Sequence, residues 1–404
     1  MWRKRTRSFS RLFVALPLLV WLGAPAAQSN PFTAVSQANY EYGQAMRFSL
    51  QVDSQVALQA VTLFFRAGES ANTYTADWRL LPRRQVTLSH ALDLQQTFLP
   101  PFAPITYWWA LEETGGRVHT LERQVLTYAD DRYNWRQLSD GGVSVYWTGQ
   151  DTVLGQLALD VVAETWPRLT AVIPVETIPP FRIYVYPSVN ELQEAMRLAG
   201  RGWEWVGAQF IPESNTIAVA AGNANTAAFD LRQSIPHELS HLLLAWAAGP
   251  SYENAPKWLD EGLATFSESA VNPTYEAILG EATAAGTTIP FHELCQSFPT
   301  AGDEIVLAYA QSGSLVRTLQ AQYGNQALRD LVVSYADGRG CDAGVRHVLG
   351  TSLAELERAW LDTQANQPAI GRFWRENSLW LILLVASFGL TSLLLLNPLK
   401  SRGD

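Results

Sequence analysis

The chain has 404 residues, 48% hydrophobic and 17% charged, with a net charge of −9. That balance excludes wholesale disorder, and the negative charge argues against a surface for binding nucleic acid. Cys295 and Cys341 are the only cysteines. They are too few for a four-cysteine zinc module and too far apart for a finger of two cysteines and two histidines.

Residues 1–11 carry Arg3, Lys4, Arg5, Arg7 and Arg11 and no acid. An apolar run from Leu12 to Leu22 follows, then Ala24-Pro25-Ala26, a small-x-small cleavage site. This order predicts a secretory signal peptide over residues 1–26. The run is too short to span a bilayer.

Residues 30–130 read as strands, with alternating or β-branched and aromatic stretches. These are Met46 to Val52, Gln59 to Arg66, Thr73 to Leu80, Gln85 to Leu92, Ile105 to Leu111 and Val118 to Leu126. Gly115-Gly116 reads as a hairpin turn. Six or seven strands in about 100 residues suggest an immunoglobulin-like or fibronectin-like β-sandwich.

Residues 131–150 join the parts, with a strand at Val143 to Trp147. Then the period changes. Val153 to Trp166 reads as a helix ended by Pro167, Phe181 to Tyr186 as a strand and Val189 to Ala199 as a helix. Gly207 to Ile211 and Asn215 to Ala220 read as strands around a turn at Pro212-Glu213-Ser214. Helical patterns follow at 234–248, 257–270, 274–285, 303–323, 325–336 and 352–366. Residues 135–366 are therefore expected to form an α+β domain, sheet first and helices second.

Ser378 to Leu396 is a stretch of 19 residues without a charge. As a helix it would cover about 28 Å, close to a bilayer's hydrocarbon core. Trp374 and Trp380 stand where interfacial aromatics belong. With a signal peptide at the other end, residues 27–377 are expected outside the cytoplasm and 397–404 inside. The expected localisation is the cell membrane, with a single pass. In that compartment Cys295 and Cys341 either pair or remain two buried thiols.

Residues 237–241 read His-Glu-Leu-Ser-His. On a helix, residues i and i+4 share a face, so His237 and His241 can hold one Zn2+ from one side. Glu238 then stands near the open coordination position as a general base. Pro236 is tolerable only in a first turn, so the helix is expected to begin near 236, capped by Asp230 or Ser234, or to kink there. A catalytic zinc needs a third protein ligand. Glu261, in Lys-Trp-Leu-Asp-Glu-Gly-Leu-Ala from 257 to 264, lies 20 residues beyond His241. The Gly249-Pro250 turn between them lets a second helix return antiparallel.

His-Glu-x-x-His followed by Trp-Leu-x-Glu-Gly-hydrophobic-Ala resembles the gluzincin metallopeptidases, the thermolysin-like and aminopeptidase N-like enzymes. Residues 140–366 resemble the peptidase MA-like domain of bacterial membrane proteins. The resemblance implies one zinc per chain on His237, His241 and Glu261, with Glu238 as general base for a zinc-activated water attacking a peptide bond. The interval to Glu261 is one residue longer than in aminopeptidase N relatives. Asp260 would fit that count, but Trp258-Leu259 and Gly262 align Glu261 with the ligand. The resemblance further implies a Tyr or His on a later helix that stabilises the oxyanion, for which Tyr309 is the candidate. Its alternative role is core packing.

Asn215 to Ala220 resembles the family's edge strand for an extended substrate. Gly207-Ala208-Gln209-Phe210-Ile211 lacks the Glu with which aminopeptidases grip a free amine, which favours an endopeptidase; Glu213 could substitute. Asp260 could orient His237 or His241 through a ring N–H. The expected partners are a peptide or protein substrate and, through the C-terminal helix, a membrane. The rival expectation is a catalytically inactive surface binding or adhesion protein on the same scaffold.

Overall fold

The computed structural model describes residues 32–365 except 69–71, 151, 202–206, 223–225, 271 and 301, together with Trp380, Leu383, Leu384, Ala386 and Ser387. The signal peptide expected over 1–26 lies outside these residues, as does most of 378–396. No helix among the described residues is long and apolar enough to cross a membrane.

The first six strands are β1 (Phe32–Glu41), β2 (Ala45–Ala67), β3 (Tyr74–Asp93), β4 (Pro104–Glu113), β5 (Val118–Thr120) and β6 (Gln124–Thr127). They do not form the two separate sheets of the expected immunoglobulin-like sandwich. All belong to one antiparallel sheet in which β2 pairs with β1, β3 and β4. The polar stretches around Ser54-Gln55 and Pro82-Arg83-Arg84 look like turns in sequence. They are instead bends inside two long strands, where the β2–β3 register shifts between Asp53 and Leu58. A bulge of this kind sharpens strand twist and bend. The halves of the sheet fold onto each other, and Phe48 of one half meets Phe65 and Tyr107 of the other at ring-centroid distances of 5.0 and 5.2 Å.

The second sheet contains β7 (Arg136–Asp140), β8 (Val143–Trp147), β9 (Phe181–Tyr186), β10 (Ala208–Ile211) and β11 (Thr216–Ala220), in the order β10-β11-β9-β8-β7. β9 runs parallel to β8 and β11. β7 and β10 close the edges antiparallel. The helices are α1 (Val153–Thr170), α2 (Val189–Leu198), α3 (Ala227–Ala248), α4 (Lys257–Ser267), α5 (Pro273–Ala285), α6 (Gly302–Ala336, broken at Gly324), α7 (Cys341–Leu349) and α8 (Leu353–Ala365). Pro167 lies in the last turn of α1 and does not end the helix at Trp166.

Side chains alternate between the faces of a strand, and both faces of this sheet are covered. Val145, Ile183, Val185, Ile217 and Val219 pack with the helices in one core. Tyr184, Tyr186, Ala218 and Ala220 join the core of the first sheet, with Leu192 and Met196 of α2. Tyr184 stacks on Phe102 at 3.9 Å. Buried Asp130 takes two hydrogen bonds from the Arg132 guanidinium, at 2.8 and 2.7 Å, and one from the Tyr186 hydroxyl at 3.2 Å. The two sheets thus share one interior.

Candidate metal centre

α3 begins at Ala227, nine residues before Pro236, contrary to a start near 236. Neither Asp230 nor Ser234 is the N-cap; Thr226 is, and its hydroxyl donates to Asp230 Oδ2 at 3.0 Å. A proline inside a helix leaves the carbonyl of residue i−4 without its N–H. Here that carbonyl belongs to Arg232, and the Ser269 hydroxyl donates to it at 2.7 Å. The helix continues through the core on Leu239, Leu242, Leu243 and Leu244, all buried. Its other face carries His237, Glu238 and His241 into a cleft of about 1210 Å3.

α4 brings the third group. A Cβ on Gly262 would stand 2.7 Å from the Ser312 carbonyl oxygen of α6, and one on Gly313 would stand 2.6 Å from the Thr265 side chain. The two glycines let α4 and α6 touch backbone to backbone. The neighbouring Glu261 is thereby set under α3, with its Oε2 3.6 Å from His237 Nε2 and 3.5 Å from His241 Nε2. One ligand atom from each residue lies within 4.8 Å of the others, and the three could hold a metal ion.

The donor set fits a cation. Glu261 Oε2 is buried with no hydrogen-bond partner, which is costly unless a ligand satisfies it. Both imidazoles are turned with Nε2 inward, because their Nδ1 atoms face carboxylates. His241 Nδ1 lies 2.6 Å from Asp260 Oδ1, and His237 Nδ1 lies 3.1 Å from Glu268 Oε1. An ionised carboxylate only accepts, so each Nδ1 keeps its proton and Nε2 is the nitrogen that would ligate once its own proton is displaced. Asp260 is therefore placed to orient His241 and is not among the three residues that could hold the ion. Its oxygens are also engaged by Lys257 Nζ at 3.3 Å and the Tyr252 hydroxyl at 3.4 Å.

The electrostatics agree. Burial lowers the pKa of His237, but Glu261 and Glu268 outweigh it and raise it to about 9. Burial likewise opposes charge on His241, and Asp260 and Glu261 hold its pKa well above the ordinary value. For Glu261, burial pushes up but the two imidazoles pull the carboxyl far below the usual range. Protons on the imidazoles thus balance the buried carboxylates, a charge that a divalent ion would replace. Glu238 is pushed upward, chiefly by burial, against the pull of both histidines and the Phe210 backbone N–H.

Tyr309, on α6, lines the cleft edge-on to His237 at 5.9 Å between ring centroids. Burial, then the charges of Glu261 and Glu238, raise its pKa and keep the hydroxyl protonated. Asn215 to Ala220 is not the edge strand. β11 is buried along its whole length between β9 and β10, and the edge is β10. The Ala220 N–H donates to the Gly207 carbonyl, so by antiparallel alternation the main-chain groups of Ala208 and Phe210 face away from β11. Glu213 pairs with Arg201 and is not among the residues lining the cleft. Glu268 and Tyr252 are the functional neighbours that the motifs do not mark. The signal for Glu268 is its i+7 spacing from Glu261, two turns along the same face.

Residues 162–366 match the family model of the peptidase MA superfamily. Among solved structures, an aminopeptidase N family protein from Idiomarina loihiensis is similar at 11% identity and TM-score 0.38, over 81% of this chain and 76% of that one. OgpA from Akkermansia muciniphila matches at 11% identity and TM-score 0.20, over 24% of this chain and 28% of that one. A polysaccharide deacetylase from Bacillus cereus matches at 9% identity and TM-score 0.19, over 41% and 54%. TM-scores this low carry no weight for the activity, and the chain spans well under half the length of OgpA. No curated protein matches it in sequence.

Proposed function

Since the chain belongs to the peptidase MA superfamily, we propose that it is a zinc-dependent endopeptidase, anchored in the cell membrane with its bulk outside the cytoplasm. One observation carries the reading: two imidazole Nε2 atoms converge on a buried, otherwise unpartnered Glu261 oxygen. His237, His241 and Glu261 would hold the ion. Bound there, zinc would supply Lewis acidity, making water a nucleophile near neutral pH and polarising a carbonyl.

The remaining steps belong to the chain's own groups. Glu238, its basicity raised by burial, takes the proton of the attacking water and passes it to the leaving amine. The Tyr309 hydroxyl, kept protonated, donates to the substrate oxygen that gains charge. The outward main-chain groups of Ala208 and the outward carbonyl of Phe210 on β10 pair with an extended substrate, while the Phe210 N–H serves Glu238. The missing acid at Gly207 to Ile211 and the engagement of Glu213 by Arg201 favour internal bonds over N-terminal residues. The apolar segment 378–396 supports the anchor, and the Cys295–Cys341 disulfide supports an oxidising compartment.

The test is metal analysis of the full chain after zinc-replete purification, beside His237→Ala and Glu238→Gln. One zinc per chain is expected, lost in His237→Ala. Glu238→Gln should keep the zinc and lose peptide hydrolysis; turnover by that variant would sink the mechanism.

A further inference from the structure

We infer that Gln233 selects the substrate: its side-chain oxygen accepts from a lysine or arginine side chain that lies within two residues of the cleaved bond, on the carboxyl side. This rests on the peptidase reading above and adds the class of peptide that the site takes.

Gln233 stands four residues before His237 on α3, hence on the same helix face, and lines the cleft. The end of α4 and the residues after it fix this part of α3. The Ser267 hydroxyl donates to the Pro236 carbonyl at 2.7 Å, and the Ser269 hydroxyl to that of Arg232 at 2.7 Å. In the same run Gln233 Nε2 donates to the Ala270 carbonyl at 3.3 Å. A carbonyl only accepts, so the amide is held with its nitrogen towards Ala270. Its Oε1 is left buried with no hydrogen-bond partner. An orphaned acceptor of this kind is costly, and an incoming donor removes the cost.

The position sets which donor arrives. Four residues of helix rise about 6 Å, the span of about two residues of an extended peptide. The residues flanking β11 touch α3 at both ends. Trp246, near the end of α3, donates to Asn215 at 3.0 Å, and the Gly222 N–H donates to Asp230, in the first turn, at 3.2 Å. β11 thus runs against α3, and β10, antiparallel to β11, runs with it. A peptide added antiparallel to β10 therefore passes His237 and then Gln233 with its carboxyl-side residues.

The charges favour a cation there. Asp230, three residues before Gln233, also lines the cleft. Its carboxylate accepts from the Gly222 N–H and the Thr226 hydroxyl, both neutral, which leaves its negative charge in place. The adjacent Arg232 is engaged by Glu164 and is not among the lining residues. Lys257, the one lysine or arginine among the described lining residues, stands at the other end, held by Asp260 beside His241.

The experiment uses the full zinc-loaded chain and quenched fluorescent peptides with Lys, Arg, norleucine or Glu at the first or second residue on either side of one bond. Lys or Arg on the carboxyl side should exceed norleucine in kcat/KM by more than about tenfold. Gln233→Leu should bring that ratio close to one with zinc content unchanged, and Gln233→Glu should raise it. Equal rates for Lys and norleucine, a preference confined to the amino side, or a ratio unmoved in Gln233→Leu would overturn the assignment and leave the peptidase reading standing. Should Gln233→Leu fail to fold, a ratio that does not rise in Gln233→Glu overturns it equally. The same peptides are titrated onto Glu238→Gln, with and without Gln233→Leu. Selective binding of Lys or Arg peptides that Gln233→Leu abolishes, without any turnover by the wild type, would overturn the peptidase reading and keep the role of Gln233. Neither turnover nor selective binding would overturn both.

Discussion

Asp260 Oδ1 lies 2.6 Å from His241 Nδ1, and Asp260 is the residue immediately before Glu261 on α4. One helix therefore carries both a candidate ligand, Glu261, and the carboxylate that faces the Nδ1 of another candidate, His241 of α3. Glu268, at the end of the same helix, does the equivalent for His237. Asp260→Asn and Glu268→Gln should each weaken zinc binding by roughly 10- to 100-fold. Competition against a chromophoric chelator reads this directly. Unchanged affinity in both variants would mean that the carboxylates do not aim the imidazoles.

Gly262→Ala should destabilise the protein by about 1–3 kcal/mol. The added methyl would press on the Ser312 carbonyl at 2.7 Å, and backbone yields less readily than a flexible side chain. Thermal unfolding followed by circular dichroism tests this, with Gly280→Ala as the control, where an added Cβ meets nothing within 4 Å. Separating α4 from α6 should also cost zinc affinity, because Glu261 adjoins the contact.

Zinc binding should strengthen as pH rises towards about 9. In the metal-free protein the His237 pKa is raised to about 9, so at neutral pH a proton occupies the atom that must ligate. The cation has to displace it, and the penalty fades as pH climbs through that value. Calorimetric titrations in buffers of different ionisation enthalpy should show proton release at pH 7 and less at pH 9. Release that does not depend on pH would contradict the charge balance described for the site.

Removing the disulfide should cost about 2–4 kcal/mol. Cys295 and Cys341 close a loop with a sequence separation of 46, and Cys295 follows Leu294, which is buried in the helical core. Cys295→Ser with Cys341→Ser should melt lower than the parent. Reductant should lower the parent's midpoint and leave the double variant unmoved.

The convergence of three residues that could hold a metal ion was legible because the pattern is local. The i, i+4 histidines share a helix face whatever the rest of the chain does, and Trp258-Leu259 with Gly262 marks Glu261 despite the longer interval. The role of Asp260 followed from its place beside the ligand. Gly324, at a φ of +78°, breaks α6 where the two helical patterns meet. The misread features depend on distant partners. Whether Ser54-Gln55 ends a strand or bends it depends on what β3 and β4 do beside it. Whether Thr216–Ala220 is an edge depends on β10, which precedes it in sequence and lies outside it in space. Pro236 looked like a helix start because the hydroxyl that makes it tolerable sits at Ser269, 33 residues later.

The two-sided burial of the second sheet bears on how this architecture can change. A catalytic sheet with one bare face could be inherited, swapped or truncated as a unit. Here Tyr184, Tyr186, Ala218 and Ala220 would be stripped of cover, and Asp130 would have to stay with Tyr186 to keep its hydrogen bond. A cut at the apparent boundary near residue 135 would expose this apolar face to water. The bent sheet thus covers one face of the sheet that carries β10 and β11 beside the cleft.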